Sequence, residues 1–87
     1  MSERYEEMLL YIKSSPLAQK VLYNLSDEWK QVLILAKELS FKKSQVHYVC
    51  NRLHKYGLIE KVISRNRAFV KLSEKGIKLL NDIKRKK

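Results

Sequence analysis

The chain changes its period at Gly57, and that change limits its folds more than anything else in the sequence. Before Gly57, apolar side chains recur at helical spacing. After it come two short runs rich in β-branched residues, and then helical spacing returns. Only two glycines and one proline interrupt the sequence, so each marks a boundary. With 87 residues to distribute, this pattern predicts several short helices, one hairpin and a last helix around a single small core.

The elements follow from caps and spacing. Ser2 is placed to cap a first helix over about 3–13, with Glu6 and Glu7 in its first turns. Its stripe is Tyr5, Met8, Leu9 and Ile12, widened by Leu10 and Tyr11. Ser15 and Pro16 start a second helix as cap and first residue, with Leu17, Val21, Leu22 and Leu25 inward. Ser26-Asp27-Glu28 is expected to cap a third helix to about Leu39, whose apolar face is Trp29, Val32, Leu33, Leu35, Ala36 and Leu39. After the break Ser40-Phe41-Lys42-Lys43, a fourth helix over 43–56 turns Val46, Val49, Cys50 and Leu53 inward and stops at Gly57. Strands are expected over 58–63 and 68–72, joined by the polar tip Ser64-Arg65-Asn66-Arg67. Ser73 caps a last helix with the stripe Ile77, Leu80 and Ile83, ending in the basic run Lys84-Arg85-Lys86-Lys87.

The order from Leu17 onward is helix, helix, turn, helix, hairpin, helix. Within it, Leu35-Ala36, Leu39, Val46, Leu53 and Gly57-Leu58-Ile59 resemble the helix-turn-helix cadence of winged-helix regulators of the MarR, ArsR and PadR type. Leu72-Ser73-Glu74-Lys75-Gly76 is similar to the Leu-Thr-Glu-Lys-Gly that follows the wing in those families. The likeness spans about residues 17–83. It implies a mostly α winged helix-turn-helix with flanking helices: residues 1–14 as a dimerisation helix, 16–72 as helix-turn-helix plus wing, and 73–87 as last helix and tail. Ser40 stands where these families often have Gly, and predicts a costlier backbone there. Lys42 stands where Ser or Thr often caps the recognition helix, so either the cap shifts to Ser44 or the helix starts less well capped.

Charge points to the partner independently. Lys and Arg exceed Asp and Glu by 19 to 9, a net charge of +10. Residues 1–38 carry five basic and six acidic residues, a net of −1. Residues 39–87 carry fourteen and three, a net of +11. No acid occurs from Ser40 to Ile59, whereas a merely solvated helix face normally mixes both signs. The outward side of the fourth helix, Lys43, Ser44, Gln45, His47, Tyr48, Asn51, Arg52 and Lys55, is therefore expected on double-stranded DNA, together with Lys42. Gln45 suits adenine, His47 and Tyr48 bases or phosphate, and Arg52 and Lys55 phosphate. Arg65, Asn66 and Arg67 at the tip suit the minor groove or its phosphates. The basic tail either adds phosphate contact or only keeps the chain soluble.

Other functions fit poorly. No apolar run approaches the ~20 residues of a membrane span, and the N-terminus lacks an apolar signal core, so an intracellular protein of cytoplasm or nucleoid is expected. One Cys and two His cannot supply the roughly four ligands of a stable metal site, so no metal or cofactor is expected. No nucleophile, base and carboxylate set and no Gly-rich phosphate loop points to an enzyme. Trp29 and the tyrosines read as core in preference to a small-molecule effector pocket. The stripes Tyr5, Met8, Leu9, Ile12 and Ile77, Leu80, Ile83 pair either within one chain or across a homodimer, and the small core favours the dimer. The function expected is a sequence-specific transcriptional regulator. The alternatives are an architectural DNA-binding protein of low preference, or a winged-helix module that binds protein. RNA ranks below B-form duplex.

Overall fold

Pro16 fixes the first corner of the molecule. The computed structural model describes residues 2–85, in which helix α1 (Ser2–Ser14) gives way to α2 (Pro16–Tyr23) with one residue between them. Ser15 Oγ accepts from the Ala18 N–H at 3.2 Å, and Pro16 occupies the first helical position, as its fixed φ favours. Gln19 Nε2 donates to Ile12 O at 2.8 Å, so α2 satisfies a carbonyl that the end of α1 leaves open. The expected roles of Ser2 as a cap and of the Lys84–Lys87 tail fall on side chains outside that description.

The third helix starts later than its sequence predicts. Ser26 Oγ accepts from the Glu28 N–H at 3.2 Å, which closes a turn in place of a helix cap. The chain then runs extended as β1 (Lys30–Gln31), and α3 covers only Val32–Leu39. Lys30 pairs with Val70 and Gln31 with Phe69. Two residues carry no period, and a sheet edge in need of partners overrides their local preference. Trp29 consequently lies outside the core, 46% exposed, with Lys71 Nζ 4.8 Å from its ring centroid. Leu33 and Ile34 also face outward.

Helix α4 (Lys43–Lys55) follows, then β2 (Ile59–Ser64), β3 (Arg67–Leu72) and α5 (Glu74–Arg85). The hairpin is the expected one, but the sheet has three strands in the order β1-β3-β2, all antiparallel. One core serves the described residues. Val46, Val49, Cys50 and Leu53 of α4 are all buried in it, as their spacing predicts, beside Val21, Leu22, Leu35, Leu58, Ile59 and Val70. Met8 and Ile12 of α1 and Leu79 and Leu80 of α5 are buried there too.

The two sequence segments on either side of the hairpin lock into one another. Gly57 has φ +80, the left-handed conformation a helix stop requires. Ser73 Oγ donates to Gly57 O at 2.6 Å and accepts from the Gly76 N–H at 3.1 Å, and the Ser73 N–H donates to Leu58 O at 3.0 Å. Gly76 packs so closely that a Cβ there would lie 2.1 Å from Leu58 O. Lys75 Nζ closes the junction on Tyr56 O at 3.0 Å. This knot fixes the angle at which the hairpin leaves the end of α4.

Candidate nucleic-acid interface

The turn into α4 sets how its first residues are presented. Ser40 has φ 60 and ψ 39, the left-handed state expected where Gly is absent. The Phe41 N–H bonds back to Ala36 O at 3.0 Å, closing α3 in a Schellman arrangement. At Lys42 the helix starts with half a capping box. The Lys42 N–H donates to Gln45 Oε1 at 3.3 Å, while a lysine side chain has no acceptor to return. The cap therefore does not move to Ser44.

Lys42 just before α4 and Lys43, Ser44, Gln45, Tyr48, Asn51 and Lys55 on it are exposed, and His47 is half-buried. Tyr48 is 60% exposed although its ring is large and apolar, which leaves it free to meet a partner. Two amides in the set already have partners. Gln45 caps the helix, and Asn51 Oδ1 accepts from Lys61 Nζ on β2 at 2.6 Å. The second contact ties the recognition helix to the hairpin.

Arg52 departs from the expectation that it holds phosphate. Its guanidinium lies 4.6 Å from the centroid of the Tyr11 ring and 6.0 Å from that of Tyr56. Nη1 donates to Tyr48 Oη at 3.5 Å and Nη2 to Tyr56 Oη at 3.4 Å. The Tyr56 contact is the main cause holding Arg52 more firmly protonated than an ordinary arginine. Tyrosines from α1 and α4 thus hold this side chain against the protein, and it fixes α4 on α1. Burial raises the Tyr11 hydroxyl above its ordinary pKa, partly offset by Arg52. Sequence spacing places Arg52 on the outward face but cannot show that three aromatic rings gather there.

The hairpin tip is tighter than a flexible loop. Ser64 pairs directly with Arg67, so only Arg65 and Asn66 make the turn. Their φ values are 51 and 65, the pair of left-handed residues a type I′ turn needs. Asn tolerates this state, whereas Arg strains in it. Both arginines are exposed. Arg67 and Asn66 share a cleft of about 520 Å³ with Lys43 and His47, floored by Leu33 and Ile63. A second groove of about 370 Å³ lies between Tyr11, Leu17 and the Ser44, Gln45 and Tyr48 side of α4.

The cysteine takes no part in this surface. Cys50 is fully buried, and burial pushes its thiol up to about 11. Among the described residues no three His, Cys, Asp or Glu side chains gather, and no helix is long and apolar enough to cross a membrane.

The stripes of the flanking helices pack within the single chain, one of the two expected arrangements. Met8, Ile12 and Leu80 are buried in the core of the single chain, and Leu9, Ile77 and Ile83 pack partly buried against it. Of the seven residues expected at a dimer interface, Tyr5 is exposed, at 49%. Leu10, which widens that stripe, is 67% exposed. The cause is that a chain of only 87 residues uses both stripes to close its own core.

No protein-family model and no curated protein matches the sequence. Solved structures do match. NolR from Sinorhizobium fredii aligns over 94% of this chain and 82% of its own, at 18% identity and a TM-score of 0.78. Reduced HlyU from Vibrio cholerae covers 94% and 85%, at 20% identity and 0.76. MepR from S. aureus, solved as a DNA complex, covers 97% and 73%, at 19% identity and 0.70. These neighbours are winged-helix transcriptional regulators of the MarR and ArsR type. At such identities the likeness is one of fold, and in fold this chain is a winged helix-turn-helix domain, its wing the β2–β3 hairpin.

Proposed function

We propose that the protein is a sequence-specific regulator of transcription that binds double-stranded DNA. Residues 43–56 enter the major groove, and the tip at 64–67 meets the minor groove or its phosphates. The observation that carries this reading is the outer side of α4. It presents Lys42, Lys43, Ser44, His47, Tyr48 and Lys55 to solvent or to the cleft beside the wing, with no acid from Ser40 to Ile59. Arg65, Asn66 and Arg67 continue the same basic surface. The neighbour MepR, built on this fold, was solved bound to DNA. Arg52 acts as a positioning residue that holds α4 in place through Tyr11 and Tyr56.

Two copies are the working form. One chain measures 37 × 22 × 22 Å and carries a single α4, so reading two successive major grooves about 34 Å apart requires a second copy. Tyr5, Leu9 and Leu10 on α1 are the apolar surface left for that contact, continued by Ile77 and Ile83.

Selection from a random duplex pool at about 0.15 M salt tests the reading. Enrichment of a palindrome with half-sites one helical turn apart supports the dimeric regulator, and no retention of duplex overturns DNA binding.

A second reading has its own observation. The amides of Gln45 and Asn51, the best adenine readers on the helix, are both engaged inside the protein. If they stay engaged on DNA, binding runs through phosphates and shape, as in an architectural protein. The ratio of affinities for the best site and for random duplex decides, about 10³ or more for a regulator and far less otherwise.

A further inference from the structure

We propose that the cleft between α4 and the wing seats one deoxyribose-phosphate unit of the DNA backbone, its phosphate held by Lys43, Arg67 and an imidazolium that forms at His47 on contact. This rests on the DNA-binding reading above and adds a proton to it.

The cleft has two chemical sides. Lys43 and His47 from α4 face Asn66 and Arg67 from the wing, and Leu33 and Ile63 line the rest. Cations and an amide suit a phosphate, and the apolar side suits the sugar next to it. The leucine and isoleucine are otherwise costly exposures, at 38% and 67%.

His47 is the unusual member. A histidine among cations loses its charge, and this one is held below its ordinary pKa of 6.5, first by partial burial and then by Lys61 and Lys43. Lys43 on α4, Lys61 on β2 and Arg67 on β3 are the charged groups around it, while β1 and α3 bring Gln31, Val32 and Leu33, none of which titrates. No carboxylate lines the cleft. In the free protein His47 is therefore neutral at neutral pH. A phosphodiester between Lys43 and Arg67 offsets part of the positive field and accepts a hydrogen bond from the ring, which favours the imidazolium, whose proton comes from solvent. Binding then takes up a proton, and acidification strengthens it.

The test uses the full chain and a labelled mixed-sequence duplex of about two dozen base pairs, enough for two half-sites, with affinity followed from about pH 8 to about pH 5.5 at constant salt. The wild type gains affinity on acidification, approaching tenfold per pH unit for each bound copy at the steepest. His47→Gln still binds, with that gain lost. His54→Gln keeps it, because His54 is engaged through Nδ1 with Ile59 O at 3.1 Å, away from the cleft. An equal gain in the wild type and His47→Gln overturns the seat and leaves DNA binding standing. No duplex binding at any pH overturns both. The titration midpoint of the wild-type His47 ring, read by NMR with and without duplex, rises on binding. A midpoint that stays in place overturns the seat even if the variant fails to fold.

Discussion

Helices α3 and α4 end in the same way with different residues. Each closes with a bond from the residue after its left-handed one back five positions, Phe41 N–H to Ala36 O and Leu58 N–H to Leu53 O, both at 3.0 Å. Each needs one left-handed residue. At the end of α4 that residue is Gly57, and at the end of α3 it is Ser40. The Gly57 end is tied to the start of α5 by Ser73, Lys75 and Gly76. The Ser40 end, exposed like Gly57, leads into the helix that carries the candidate DNA contacts. The hairpin tip belongs with Ser40, since Arg65 and Asn66 are left-handed without glycine. The core side thus has the residues its backbone calls for, and the interface side does not. Strain of this kind persists where a side chain matters more than the conformation beneath it.

Gly76→Ala attacks the well-fitted side hardest. The new Cβ meets a backbone oxygen, which cannot rotate away, so α5 has to lift from Leu58. Urea unfolding should show a loss of about 3 kcal/mol, at the upper end for overpacking. A loss below about 1 kcal/mol would mean that α5 is not locked to the junction and that the contrast between the two ends is false.

The strained side should respond in the opposite direction. Arg65→Asn combined with Asn66→Gly gives the wing its preferred type I′ turn and should add about 1–2 kcal/mol of stability. The same pair removes one cation from the tip. Duplex affinity should fall, and the slope of log affinity against log salt should shrink by about 0.9 for one lost phosphate contact. A variant that is more stable and binds as well as the wild type would show that Arg65 has no part in binding.

The exchange at the two helix ends is subtler. Ser40→Gly should stabilise by about 1 kcal/mol, and Gly57→Ser should destabilise by a similar amount. A Cβ at Gly57 would lie 3.7 Å from Lys75 Cδ, an ordinary contact, so backbone conformation alone is at issue. Equal and opposite changes in thermal midpoint would show that the two ends differ only in their residue. No gain from Ser40→Gly would assign the serine side chain a task of its own.

The legible parts of the fold are those fixed by spacing and caps. Val46, Val49, Cys50 and Leu53 occur at the period of a buried helix face and are buried, and Ser15, Pro16, Gly57 and Ser73 each mark a boundary the backbone respects. Strand β1 escapes a reading of the sequence because Lys30 and Gln31 gain their structure from Val70 and Phe69, far along the chain. The candidate interface is legible as a set of residue types on one helix face. Which of its members are already engaged is not, because that depends on rotamers and on other elements. Arg52 turns to Tyr11 on α1, and Asn51 is held by Lys61 on β2. The stripes of the flanking helices are legible only in part for a related reason. Periodicity marks Met8, Ile12 and Leu80 as apolar faces without saying which chain they face.

The smallest effect separates the folding of the interface side from its binding. His47 titrates below its ordinary value in the folded chain, so between that lowered value and 6.5 the unfolded chain holds more protons. The stability due to neutral His47 is complete above about 6.5 and is lost as the pH falls through the folded value. His47→Gln removes this dependence, and the difference between the two stability curves should appear only below about pH 6.5. The effect is a fraction of a kcal/mol, because the ring is only half-buried and water screens its neighbours. Its sign opposes that of binding. Acid loosens the free chain slightly at the position where it should tighten the complex. If acid instead stabilised the free wild type relative to His47→Gln, an anionic partner for His47 would already exist within the chain. The cations around it would then not set its charge, and the wing cleft would be one more place where the fold is fitted to itself.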